Sequence, residues 1–183
     1  MKKIILPALL MGLLSCNETG TGNEIGAVKP VEDTITTNAE NLDYAYTRTN
    51  KSNYVMGDPA QIQMVLNSLK AFETNNIDGL VTNFGDTVEL SFDNFHAKVS
   101  RDSAKAILAN NRSNYESYSI NMHDWETVKS TNTDDEWVSL WYTEIYKEKG
   151  GKLDSINIMD DVKIKDGKII EISGYVRRFP AKK

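Results

Sequence analysis

Residues 152–178 read KLDSINIMDDVKIKDGKIIEISGYVRR, and this stretch decides the fold. Asp166-Gly167 lies between two runs in which apolar and polar residues alternate. Asp-Gly in that setting is a strong hairpin signal, because both residues of the tight turn take positive φ. Alternation puts successive side chains on opposite faces of a strand. The spacing therefore predicts two long strands, 152–165 and 168–178. Working outward, Gly150-Gly151 joins the first of these to a strand over 135–147, and a fourth strand covers 118–130.

Further toward the N-terminus the period changes. Asp58-Pro59 opens a helix, since Asp caps free N–H groups and Pro suits the first helical position. Ile62, Val65, Leu66, Leu69 and Phe72 follow at helical spacing, and Asn75-Asn76 ends the run. Ile77, Leu80, Val81 and Phe84 predict a second, short helix stopped at Gly85. Val88, Leu90 and Phe92 alternate as a strand, His96 to Val99 form another, and Ser100 to Asn114 make a third helix. Helices followed by a meander give an α+β class: three N-terminal helices on a strongly curved antiparallel sheet.

This order of elements, with Lys165-Asp166-Gly167-Lys168-Ile169 and then Tyr175, resembles the nuclear transport factor 2-like superfamily, in particular its SnoaL-like members. The resemblance covers residues 58 to 180. It implies a cone-shaped α+β barrel with a central pocket, in a group that includes polyketide cyclases, ketosteroid isomerases and limonene epoxide hydrolases. Members often place an Asp soon after that tyrosine, whereas Val176 and Arg177 follow here. The fold hosts enzymes, binders and adaptors alike, so it does not give function.

Strand parity supplies candidate site residues. Ile156, Ile158, Asp160, Val162 and Ile164 share a face, and so do Ile120, Met122, Asp124 and Val128. Each row contains an aspartate. If both face the pocket, desolvation raises their pKa and suits them to proton transfer; if both sit near strand ends, they are wetted or paired with Lys or Arg. The pocket candidates are Tyr142, Met122, His96, Tyr175 and Trp141. His96 suits a pocket acid or base, or a rim position. Trp137 and Trp141 lie on one face of 135–147 and Val138, Leu140 and Tyr142 on the other, and parity does not say which is inside.

The first residues give an address. Lys2 and Lys3 precede an apolar stretch ending in Leu13-Leu14-Ser15-Cys16, which is similar to a bacterial lipobox. The expectation is a signal peptide over 1–15, and acyl chains such as palmitate on Cys16. Asn17 after the cysteine points to the outer membrane. Residues 16–57, with Gly20, Gly22 and Gly26 among Thr, Asn and Glu, read as a tether of roughly 35 Å reach. Leu42, Tyr44, Tyr46 and Tyr54 are its residues able to pack on the domain. The domain then faces the periplasm or the exterior.

Composition excludes several classes. The chain has 183 residues, 40% hydrophobic and 26% charged, at a formal charge of −5, and loss of Lys2 and Lys3 takes this to −7. An acidic chain without a basic stripe is a poor nucleic-acid binder. One cysteine excludes an internal disulfide, and two histidines make a zinc site improbable. No metal or cofactor is expected, and no phosphate loop or dinucleotide fingerprint occurs. Three functions remain. The first is binding of a small, mostly apolar molecule in the cone. The second is an isomerase, cyclase or hydrolase with Asp160 as base and Asp124 or Tyr142 polarising the substrate; only Arg112 or Arg177 is placed to complete the Asp-Arg-Asp set of the limonene type. The third is a homodimerisation module joined through the sheet, with Trp125, Trp137 and Trp141 at its centre.

Overall fold

The computed structural model describes residues 44–49 and 52–178. The signal stretch, Cys16, most of the tether and Lys182-Lys183 lie outside the described residues. Helix α1 runs over Pro59–Glu73, with the Asp58 carboxylate accepting from the Ala60 N–H at 2.9 Å. It ends where Asn75 takes φ 59°, with Asn76 N–H donating to Ala71 O at 2.7 Å and Asn75 N–H to Phe72 O at 3.0 Å. This paired closure satisfies carbonyls that a helix end otherwise leaves free. Helix α3, Arg101–Ser113, starts on Ser100, whose hydroxyl accepts from Ser103 N–H at 3.2 Å.

Helix α2 is shorter than the spacing predicts and covers only Ile77–Val81. Phe84 instead begins a strand and is fully buried in partnership with Ile169. Its i+3 position mimics a helical face, but pairing far along the chain wins over local period.

The strands are β1 (Tyr54–Met56), β2 (Phe84–Phe92), β3 (Phe95–Ser100), β4 (Tyr115–Ser130), β5 (Glu136–Glu148), β6 (Leu153–Lys165) and β7 (Lys168–Arg178). They form one curved, unclosed sheet in the order β1-β4-β5-β6-β7-β2-β3. At the β6–β7 turn Asp166 and Gly167 take φ of 51° and 68°, as the hairpin chemistry requires. Two features depart from an antiparallel sheet starting after residue 57. β2 pairs with β7 in parallel, because the chain returns to β2 only after three hairpins have reversed it. And β1, within the expected tether, pairs with β4 from Tyr54↔Ser130 to Met56↔Val128.

The core lies between the sheet's inner face and the helices. Val65 and Ala71 of α1, and Ala104 and Leu108 of α3, pack with Val88, Leu90, Val138, Leu140, Val162 and Ile164. A fully buried Val or Leu of this kind stabilises by about 1.5–3 kcal/mol.

Candidate functional site

Alternation along β5 turns Val138, Leu140, Tyr142, Glu144 and Tyr146 inward, and along β6 it turns Ile156, Ile158, Asp160, Val162 and Ile164 inward. Leu69 and Phe72 of α1 and Ile107 and Leu108 of α3 face them across a cavity of about 530 Å³. Ile172, Gly174 and Val176 of β7 complete one wall. The rim is polar, formed by Asn94, Asn110, Asn111 and Asn114, with Arg178 paired to Asp93 at 3.0 Å.

Two tyrosine–carboxyl pairs interrupt the apolar lining. The Tyr142 hydroxyl donates to Asp160 Oδ2 at 2.6 Å. Asp160 is only 7% exposed, and burial pushes its carboxyl up to about 7. The Tyr142 hydrogen bond opposes that rise, while the negative charges of Glu144 and Asp161 add to it. Burial, and next the Asp160 charge, hold the Tyr142 phenol well above its ordinary range. The second pair is the Tyr118 hydroxyl donating to Glu144 Oε1. Burial raises the Glu144 carboxyl against the pull of that bond, and burial with the Glu144 charge raises the Tyr118 phenol. Tyr118 is braced by Phe72, edge-on at 5.2 Å between ring centres, and by Tyr115 at 5.3 Å.

Asp160 fits because Gly174 lies opposite it in the β6–β7 register. A Cβ at Gly174 would stand 2.8 Å from Asp160 Oδ1 and 3.0 Å from Phe92 Cδ1. The glycine is the recess into which the carboxyl turns.

Three helices and six strands from α1 to β7, a sheet that curves without closing, and a cavity under the helices set the comparison with solved structures. An NTF2-like protein from Burkholderia pseudomallei matches with a TM-score of 0.54 at 10% identity, over 64% of this chain and 90% of that one. An LEH-like epoxide hydrolase from Mycobacterium tuberculosis matches with a TM-score of 0.53 at 14% identity, over 65% of this chain and 84% of that one. TerC, co-crystallised with polyporic acid, matches with a TM-score of 0.53 at 14% identity, over 64% and 91%.

The domain has the nuclear transport factor 2-like fold.

No family model matches the sequence, and no curated protein matches it. At these identities the likeness shows the NTF2-like fold alone.

Within that fold the structure brings Asp160 and Tyr142 together in the cavity wall and places the other candidates elsewhere. Asp124 is exposed on the outer face: the β4–β5 register slips between Met122↔Tyr142 and Asp124↔Trp141, so a bulge at His123 inverts the parity of the rest of β4. Met122 packs against the core without lining the cavity. His96 is exposed on edge strand β3, its Nδ1 2.8 Å from Ser91 Oγ. Trp141 and Tyr175 both pair with Met159, which faces outward, and Tyr175 is 61% exposed. The same bulge sets Trp125 opposite Leu140, on the other face from Trp137 and Trp141, so the three tryptophans form no common patch. Arg177 is exposed, and Arg112 donates to Phe72 O at 3.0 Å and Glu73 O at 3.1 Å, closing the end of α1. Neither lines the cavity beside Asp160, so the Asp-Arg-Asp set is not assembled. Among the described residues no group of three or more His, Cys, Asp or Glu is placed to hold a metal ion.

Sequence reasoning missed Glu144, Tyr118 and Gly174. A signal existed for Glu144, which stands two residues beyond Tyr142 on the same face. Gly174 interrupts the apolar row Ile172 to Val176, and such a gap marks a place where something else must fit.

Proposed function

We propose that this protein is a membrane-tethered, extracytoplasmic binding domain that holds a small, mostly apolar molecule under α1 and α3, without catalysis. The observation that carries the reading is the cavity of about 530 Å³, lined by aliphatic and aromatic side chains around a few convergent polar groups. Small-molecule sites have this volume and make-up. The fold likeness to TerC, crystallised with polyporic acid, is in keeping with it. Native mass spectrometry of the purified chain is expected to show a retained small molecule. A chain that carries none and takes up no compound from an apolar library overturns the reading.

The tethering half rests on Leu13-Leu14-Ser15-Cys16 after an apolar stretch. Two acyl chains give lasting attachment where one does not. Cys16→Ser is expected to abolish lipid labelling and to shift the protein out of the membrane fraction or leave it as precursor. Normal maturation and unchanged fractionation of this variant would remove the lipoprotein assignment.

A second reading, acid–base catalysis by Asp160, is favoured by one observation. A cavity-wall carboxyl held near pH 7 beside a tyrosine hydroxyl gains and loses a proton readily at neutral pH. Turnover of epoxides or enolisable ketones that disappears in Asp160→Asn is its expected sign. Equal turnover in that variant excludes it.

A further inference from the structure

The cavity's charges do not balance. Its lining residues include three carboxyls, Asp93, Glu144 and Asp160, against one guanidinium, Arg178. Arg178 is engaged by Asp93 at the rim, and among the described residues Glu144 and Asp160 have no cation beside them in the cavity lining. The nearby Arg112 is turned away to the α1 carbonyls and lies 5.4 Å over the Tyr118 ring. Buried carboxyls are ordinarily paired with a positive group, because an unpaired charge is costly to desolvate.

The donors and acceptors are also one-sided. Each tyrosine hydroxyl gives its only proton to a carboxyl: Tyr142 to Asp160 Oδ2 and Tyr118 to Glu144 Oε1. The second oxygens, Asp160 Oδ1 and Glu144 Oε2, have no hydrogen-bond partner among the described residues. Asp160 is more than nine-tenths buried, and both it and Gly174, beside which Oδ1 turns, line the cavity. What this wall lacks is a donor carrying positive charge. A primary ammonium offers three donors and no acceptor, and phenol rings such as Tyr118 and Tyr115 favour a cation further.

We infer that the cavity takes a molecule with an apolar body and one protonated amine, the ammonium seated against Asp160 and Glu144 and the body against Phe72, Ile107 and Ile158. The inference rests on the pocket-binding reading above and narrows it from any small apolar molecule to an organic cation. A carboxylate of the same shape brings a third acidic group to a wall that already holds two, supplies no donor, and is rejected. A neutral alcohol keeps the apolar contacts but supplies a single donor and no charge.

The test uses three matched probes, 1-naphthylmethylamine, 1-naphthalenemethanol and 1-naphthoate, with the purified full chain and equilibrium dialysis at pH 7.5. The expected order is amine, alcohol, carboxylate, with the amine at least tenfold tighter than the alcohol. Asp160→Asn and Glu144→Gln are each expected to reduce the amine's advantage over the alcohol, both measured in the same variant, to threefold or less. Alcohol binding as tight as the amine in the unaltered chain overturns the amine inference and leaves the pocket-binding reading standing. Failure of all three probes to bind overturns the amine inference, and the pocket-binding reading is then decided by the native mass spectrometry and library uptake described above. The comparison of probes in the unaltered chain decides the matter even if a variant does not fold.

Discussion

Asp160 and Asp161 are consecutive on β6 and face opposite sides of one sheet. On the inner face Asp160 is enclosed, bonded to a tyrosine hydroxyl and pushed up to about 7. On the outer face Asp161 is half-buried and accepts from Ser139 Oγ at 2.6 Å. The contrast extends along both faces. Inside, carboxyls meet phenols and aliphatic walls. Outside, Thr143 bonds Asn157 at 2.7 Å, and Lys163 reaches Asp135 at 3.0 Å and the Trp137 ring at 5.2 Å. Identical side chains one residue apart thus acquire different chemistry from the period of the strand and the curvature of the sheet. Residue type alone does not mark a site; the face does.

The largest effect that sharpens this comparison is on pH dependence. Asp160 has a folded pKa of about 7, above an unfolded value near 3.9. The folded state therefore holds this proton more tightly than the unfolded state. The resulting stability is fully present below about pH 4, is lost as pH rises toward about 7, and is constant above that. The loss amounts to about 4 kcal/mol, and the raised Glu144 carboxyl contributes with the same sign. Urea denaturation between pH 4 and 8 is expected to show the decline in the unaltered chain, a flatter profile in Asp160→Asn, and a slope only slightly below the unaltered one in Asp161→Asn, whose charge is the smallest contributor to the rise at Asp160. Equal slopes in the two variants would break the comparison.

Next in size is Gly174→Val. Its Cβ would crowd Asp160 Oδ1 and Phe92, and the branch adds to the overlap. A loss of about 3 kcal/mol in chemical denaturation is expected, with ligand uptake abolished. A variant of unchanged stability would mean that the recess is not needed. Tyr142→Phe comes third, at about 1–3 kcal/mol, because it removes the tyrosine hydrogen bond to the buried Asp160 carboxyl. A carbon-13 titration should place the Asp160 midpoint higher than in the unaltered chain, since that bond opposes the rise. A lower midpoint would contradict the assigned donor. The smallest effect is that of Asp161→Asn at neutral pH, where a change within about 0.5 kcal/mol is expected from its partly wetted position.

Much of the architecture is legible in the residues, and the reasons are local. Asp166-Gly167 specifies a turn, Asp58-Pro59 a helix start, and the alternation of Ile156 to Ile164 a half-buried strand. The parallel partnership of β2 with β7 has no local signature, since no turn joins the two. Phe84 is misread for the same reason. In the candidate site, the parity of β5 and β6 puts Tyr142 and Asp160 on shared faces, because those two strands pair without a slip. β4 does slip, at His123, and one extra residue there is enough to send Asp124 outward. A bulge has no composition of its own in this stretch, so parity carried through Asn121-Met122-His123-Asp124 could not reveal it.

The parallel join also governs when the site can come into being. β7 follows every other strand in the chain and is hydrogen-bonded to β6 on one side and β2 on the other. Among the described residues the β2–β3 hairpin has no other neighbour in the sheet, and Leu90 pairs with Ile172. The cavity wall is incomplete until β7 is in place, because Ile172, Gly174 and Val176 belong to it. Contacts so distant in sequence slow folding, and exposed apolar strands invite association in the meantime. Factors that shield such surfaces would act on this protein before β7 docks, and a nick at the exposed Asp166-Gly167 turn would loosen the strand on which closure depends.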